Sequence, residues 1–487
     1  MNPIAMNLDE QISRQITRRT LLGQSARGLG AIALASLVNG GLSAEAALPG
    51  LGTHGALPEL HFAPKAKRVI YLFMSGAPSH IDLYDNKPKL KELTGQELPA
   101  SVRGDQRITG MTSGQSKLLM VGPAYGFKRY GQSGAEITEM MPHIGSIADE
   151  IALVRSMHTD PINHDPAVTF LLTGNQQPGR PTVGAWMAYG LGSVNKNLPE
   201  YVVLLSGRGG QPLLARYWGN GFLPSKYQGV QFRSTGDPVL YVSNPEGIDS
   251  ATRRELLDGV QQLNRLQLEA VGDPEISTRI DAYEMAYRMQ TSVPELMDIS
   301  QESKEVLDMY GAQPGKASFA NNCLLARRLA ERDVRFVQLY HRDWDHHGNL
   351  PAELKRQCET CDQASAALVK DLKQRGLLDE TLVVWGGEFG RTAYSQGAIS
   401  KDSFGRDHHP RCFSIWMAGG GIKPGITLGK TDDFGYNLVE DGVHAHDFQA
   451  TILHLMGVDH KKLTYRFQGR DFRLTDVSGK VVDKLLA

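Results

Sequence analysis

Apolar and polar positions along this chain follow two rhythms. Short unbroken apolar runs, rich in β-branched and aromatic residues, read as strands buried on both faces. They fall at 68–74, 150–155, 201–205, 334–340, 381–385 and 412–417. Between them lie stretches with helical spacing of apolar residues: 251–271, 274–310 with breaks, 317–331, 351–376 and 446–456. Gly376 reads as the stop of the fourth. Strands alternating with helices predict a mostly parallel sheet with helices on both faces. No internal repeat, low-complexity tract or strong linker divides residues 67–480. The expectation is one large domain with a helical insertion around 245–315. The run Gly419-Gly-Gly421 reads as a turn, because no Lys-Ser/Thr follows it as in a phosphate loop.

The N-terminal end departs from this pattern. Arg18-Arg19 precede an apolar stretch at 29–38, and Ala44-Glu-Ala46 follows with the small residues of a cleavage site. Order and spacing match a twin-arginine export signal over 1–46, followed by a Gly/Pro-rich linker over 47–66. The apolar stretch is too short for a membrane span. The expected partner is the twin-arginine export machinery, and the expected location is periplasmic or extracellular. A formal net charge of -1 argues against a nucleic-acid surface. Cys358 and Cys361 form a C-x-x-C followed by Asp362, so it is not a haem-attachment site. With no second C-x-x-C for zinc, they read as plain helix residues.

Candidate chemistry concentrates in three segments: 341–347, 386–392 and 405–410. The first two directly follow predicted strands, and open α/β sheets bind ligands outside the carboxyl ends of their strands. Asp345 and His347 stand two apart on one such loop and read as metal ligands. Glu388 follows Gly386-Gly387, which lets backbone approach closely; it reads as a ligand or base, or as a partner of Arg391. Arg391 has the fork to hold an oxyanion. Asp407, His408 and His409 share a third segment, where adjacent histidines point different ways, so one of them is the ligand. Ser79 and Asp82 lie on the loop after the first strand. Such a donor set suits zinc, manganese or iron(II) better than calcium, which prefers oxygen alone.

The order of these motifs carries a resemblance. An export signal, the strand, Ser75-Gly-Ala-Pro-Ser-His-Ile-Asp82, Asn163-His164, Trp344-Asp-His-His347, Gly387-Glu-Phe-Gly-Arg-Thr392, Gly405-Arg-Asp-His408 and Asp447-Phe-Gln-Ala-Thr-Ile-Leu-His-Leu-Met-Gly457 occur in sequence. The chain resembles a family of exported, sulfatase-like proteins that carry a domain of unknown function, within the alkaline phosphatase and sulfatase superfamily. That resemblance implies a three-layer α/β/α sandwich and metal-dependent hydrolysis of sulfate or phosphate esters, on a small molecule or a polysaccharide. It favours Asp345 and His408 as ligands and places a metal carboxylate at Asp82, while the superfamily's Asp-x-x-x-His spacing favours Asp343. Two departures stand out. The segment 164–174 keeps the length and the Leu-Thr-Gly ending of the sulfatase nucleophile segment, but His164 stands at the nucleophile position and Val168 replaces an arginine. Glu388-Phe389 also stands where phosphatases carry Asp-His. His164 is therefore a candidate nucleophile, proton carrier or ligand. The alternative is a non-catalytic scaffold that binds a glycan or an envelope partner.

The double variant Arg18→Lys, Arg19→Lys is expected to remain in the cytosol. Cell fractionation checks this, and export at the unmodified level would overturn the targeting expectation.

Overall fold

The computed structural model describes residues 55–487, except 235, 236, 240–243, 245, 246, 401 and 402. The expected export signal and the start of the linker lie outside these residues. Two compact units separate. One is the segment Asn244–Tyr287; the other comprises the described residues of Thr53–Ser243 and Arg288–Ala487.

The strands of the larger unit that matter here are β1 (Arg68–Met74), β2 (Ile151–His158), β3 (Tyr201–Ser206), β4 (Val230–Phe232), β5 (Phe336–His341), β6 (Thr381–Gly386), β7 (Gly390–Gln396), β8 (Gly405–His409), β9 (Phe413–Ala418), β10 (Ile426–Leu428) and β11 (Val443–His444). The central nine-stranded sheet runs β10-β2-β9-β6-β1-β5-β3-β4, with β11 added beside β2. All its pairs are parallel except those of β9, which runs antiparallel to β2 and β6. The carboxyl ends of β1, β2, β3, β5 and β6 therefore share one edge, and the start of β9 meets them there.

Helices cover both faces. One face carries α1 (His164–Thr173), α2 (Val183–Leu191) and the late helix Ala445–Leu455. Val168, Leu171, Trp186, Phe448 and Ile452 pack there with Val69, Tyr71 and Phe73 in one core. Strand alternation turns Ile70 and Leu72 to the other face, where helix Phe319–Glu331 packs on the strands and helix Leu350–Gln374 packs on that helix. Burial on both faces is why β1, β5, β6 and β9 contain unbroken buried runs. This is the expected α/β/α sandwich.

The region 274–310 is broken as expected, into Pro274–Met297, Ile299–Gln301 and Lys304–Tyr310. Within Asn244–Tyr287, helix Ser250–Val271 starts on an Asp249 cap that accepts from Thr252 N and stops at Gly272 (φ 71). Arg254 ties it to Glu284 at 2.7 Å. No helix among the described residues is long and apolar enough to cross a membrane.

One feature was not anticipated. Residues 390–409 hold an antiparallel ribbon of β7 and β8, where loops were expected. Its strands are buried yet carry Arg391, Thr392, Ser395, Arg406, Asp407, His408 and His409. Polar side chains on both sides leave no apolar alternation to read.

His341 ends β5 with Nδ1 2.9 Å from Ser206 Oγ and Nε2 2.8 Å from Gln357 Oε1. Burial pushes its pKa down from 6.5 to about 4. The unfolded chain takes up this proton near pH 6.5, whereas the folded chain resists until about 4. The contribution to stability is thus complete above pH 6.5 and is lost as pH falls through that window. Its size is on the order of 3 kcal/mol. Denaturant midpoints measured between pH 7 and 4 are expected to fall, and less steeply in His341→Asn; an identical slope in the variant would refute this assignment.

Candidate metal centre

Three loops meet at the carboxyl edge because glycines let their backbones touch. After β1 the chain turns through Gly76 (φ 110) and Ala77 (φ 61). A Cβ on Gly76 would lie 2.7 Å from Asp345 N and 2.9 Å from Trp344, so only glycine fits. Gly387 is similarly confined, with Met74 O at 2.6 Å from any Cβ. The loop after β5 thereby presents Asp345 and His347, and the loop after β6 presents Glu388. The ribbon sets His408 opposite Arg391. His164 is the first residue of α1.

His164, Asp345, His347 and His408 bring four ligand atoms within 4.8 Å of one another. Asp345 Oδ1 lies 2.8 Å from His347 Nε2, 3.1 Å from His164 Nε2 and 3.6 Å from His408 Nε2. His347 Nε2 and His408 Nε2 are 3.0 Å apart. Each ring is held from behind through Nδ1. His408 Nδ1 donates to the Ile162 carbonyl at 2.8 Å. His164 Nδ1 donates to Glu388 Oε1 at 2.6 Å, and both Glu388 oxygens also accept from Gly76 N. His347 Nδ1 faces Gln396 Oε1 at 2.5 Å. With the rear nitrogens protonated, the three Nε2 lone pairs point at one another. Such lone pairs repel unless a cation sits among them, and rear acceptors of this kind orient metal-bound imidazoles.

His164 Nε2 adds a second sign. It is buried, and among the described residues the polar atom it faces is Asp345 Oδ1 at 3.1 Å, without the geometry of a hydrogen bond. Three imidazoles and a carboxylate can hold a divalent ion of the zinc, manganese or iron(II) type. Electrostatics agree. Burial alone would raise the Asp345 pKa, but His164, His347, His408 and Arg391 outweigh it and hold the carboxyl well below the usual range. Burial would lower His164, but Asp345 and Glu388 outweigh that and raise it. Burial dominates at His408 and pushes it down to about 4. The negative field that draws a proton to His164 also favours a cation.

The other candidates stand elsewhere. Glu388 lies behind His164, not on the cluster's inner side, and does not pair with Arg391. Arg391 donates from Nε to Ala77 O (3.0 Å), from Nη1 to Arg406 O (3.2 Å), and from Nη2 to Gly76 O (2.5 Å) and Asp345 Oδ1 (2.6 Å). Four of its five N–H donors are thus engaged by the protein, so no two-donor fork is left open for an oxyanion. Asp82 is buried against Arg406 at 2.7 Å and accepts from Ala124 N and Ser79 Oγ. Asp343 pairs with Arg356 at 2.5 Å. Asp407 accepts from Thr109, Thr112 and His408 N. His409 turns away to the Tyr436 carbonyl at 2.7 Å. Three contacts carried no sequence signal: Ile162, Gln396, and Gln211, whose Nε2 donates to Asp345 Oδ2 at 3.2 Å.

The fold and this cluster define an α/β protein with a candidate metal centre at the carboxyl edge of its sheet. The chain belongs to the family described as Protein of unknown function (DUF1501), which matches residues 66–486. No curated protein matches it. Similar solved structures include the PsFucS1 sulfatase from Pseudoalteromonas sp., 12% identical over 80% of this chain and 68% of that chain, with a TM-score of 0.35. The phosphonate monoester hydrolase of Agrobacterium radiobacter is 12% identical over 87% of this chain and 77% of that chain, with a TM-score of 0.34. A protein in the alkaline phosphatase superfamily from Vibrio parahaemolyticus is 12% identical over 88% of this chain and 74% of that chain, with a TM-score of 0.34.

His347→Ala and His408→Ala are each expected to lose most bound metal, measured by mass spectrometry after dialysis against a weak chelator. Glu388→Gln is expected to keep the ring in place less well and to weaken metal affinity by about 10–100-fold. Wild-type metal content in both histidine variants would rule out a shared centre.

Proposed function

We propose that the protein is a divalent-metal-dependent hydrolase of sulfate or phosphate esters. The observation that carries this reading is the convergence of three imidazole Nε2 atoms on Asp345 Oδ1, with the rings held from behind. His164, Asp345, His347 and His408 would hold the ion. When bound, such an ion polarises an ester oxygen and makes a water nucleophilic near neutral pH.

The chain's own residues supply the remainder. The hydrogen-bond and ion-pair partners that the cluster's side chains find outside it, among the described residues, are Glu388, Gln396, Ile162, Arg391 and Gln211. None offers a hydroxyl or thiol, so water attack fits better than a covalent serine or cysteine route. Arg391 and Gln211 each hold one oxygen of Asp345, which fixes the carboxylate. Glu388 keeps His164 in the tautomer that exposes Nε2. The side chains of His347 and Asp345 keep 24% and 10% of their surface open, against 7% and 4% at His164 and His408. Substrate would therefore approach over His347. Export through the twin-arginine route would deliver the folded protein, as the N-terminal residues suggest.

A second reading, a non-catalytic binding scaffold, draws on the engaged donors of Arg391. Screening the metal-loaded protein against aryl sulfates, phosphate monoesters, phosphate diesters and phosphonate monoesters separates the two. Turnover abolished by chelation and restored by one of the three metals is expected. His164→Ala is expected to lose both metal and turnover, as a ligand would. A loss of turnover of about 10²–10⁴-fold with full metal would instead make it a proton carrier. Metal-loaded protein that turns over no ester would overturn the hydrolase reading.

A further inference from the structure

The polar partners that surround the cluster divide by exposure. Glu388, Arg391 and Ile162 are buried. Gln211 is exposed and Gln396 is half-buried. These two glutamines adjoin the two cluster residues that keep the most open surface. Gln211 Nε2 lies 3.2 Å from Asp345 Oδ2, and Gln396 Oε1 lies 2.5 Å from His347 Nδ1.

Their partners decide which way each amide faces. An ionised carboxylate only accepts, so Gln211 turns its NH2 group to Asp345. With the Nε2 lone pair of His347 directed into the cluster, the proton sits on Nδ1, so Gln396 turns its oxygen to that ring. Gln211 thereby keeps one N–H and its oxygen without a partner among the described residues, and Gln396 keeps both of its N–H groups.

Both side chains stand on anchored backbone. Gln211 lies on the segment that leaves β3, where Arg342 of the β5 loop donates to the carbonyls of Gly210 at 3.4 Å and Gln211 at 3.2 Å. Gln396 is the last residue of β7. Beside it, the Gln115 side chain accepts from Gly397 N at 2.7 Å and donates to Ser395 O at 3.2 Å. Donors held in place before an anion arrives need little reorganisation to meet it.

We infer that Gln211 and Gln396 are substrate-binding residues, whose free N–H groups hold the non-bridging oxygens of an ester group entering over His347 and Asp345. Arg391 does not fill this role, because it is buried and has one N–H left. The inference rests on the hydrolase reading only in calling the bound ester a substrate; the donors themselves are a claim about oxyanion binding.

The test is calorimetric titration of the zinc-loaded full chain with sodium tungstate, a tetrahedral oxyanion that is bound without being hydrolysed. The unmodified protein is expected to bind it. Gln211→Met removes a donor without adding charge and is expected to weaken binding by about tenfold, as loss of one hydrogen bond to a charged group would. Gln396→Glu keeps an acceptor behind His347 but removes both N–H groups, and is expected to weaken tungstate at least as much. Gln115→Glu adds the same charge nearby, keeps the acceptor for Gly397, and is expected to bind tungstate as the unmodified protein does. Zinc content and melting temperature, measured on the same preparations, are expected to stay at wild-type values.

Wild-type tungstate affinity in Gln211→Met would overturn the inference, as would an equal loss in Gln115→Glu or no tungstate binding by the unmodified protein. If the amides only orient Asp345 and His347, the variants would lose zinc while their loaded fraction bound tungstate normally, and that too would overturn it. Glutamine-dependent tungstate binding without turnover in the ester screen would sustain the donors and sink only the hydrolase reading. Unaltered ester turnover and KM in both glutamine variants would sink the donors and leave the hydrolase reading standing.

Discussion

One buried guanidinium ties the site together. Arg391 is 1% exposed, and its donors reach two consecutive carbonyls of the β1 loop, one carbonyl of β8 and the carboxylate of Asp345. A buried cation is costly unless hydrogen bonds and a counter-charge compensate it. The satisfied state exists only when three separate loops hold their positions together. The strained turn at Gly76 and Ala77 aims its carbonyls at Arg391, and the same turn gives its amide to Glu388. Glu388 in turn holds His164. The positions of the three ring-bearing segments are therefore consequences of one satisfied charge.

A parallel logic governs the pair Arg406 and Asp82. Both are 0% exposed, and Arg406 also donates to the carbonyls of Thr392, Val121 and Gly122. This ion pair anchors the outer side of the ribbon and the first loop. It explains why Asp82 takes no part in the cluster: its charge is already matched by a fixed cation. The two arginines of the ribbon thus divide the acids of the edge, with Asp345 left facing the imidazoles and Asp82 withdrawn from them.

The sandwich was legible because a sheet covered on both faces needs continuous apolar strands, and β1, β5, β6 and β9 display them. The ribbon was illegible for the opposite reason, since its buried positions are polar and are satisfied by one another. In the cluster, Asp345, His347 and His408 were recognisable as ligand types on loops after or near strands, and His164 through the length of its segment. Which side of an imidazole a carboxylate occupies is another matter. Glu388 and Asp345 look alike at the ends of strands, and only the approach of Gly76 N decides that one stands behind a ring. For Asp82 the deciding partner lies 324 residues away, beyond any local pattern.

The four cluster residues come from the start of α1, the loop after β5 and the strand β8, and so from distant parts of the chain. An ion among them would act as a cross-link as well as a chemical group. It would close two long loops at once, and closing such loops removes freedom chiefly from the unfolded chain. Severing the backbone between His164 and Asp345 would then leave the two pieces clasped through the ion. The chain would owe part of its resistance to degradation to the same four side chains that form its centre.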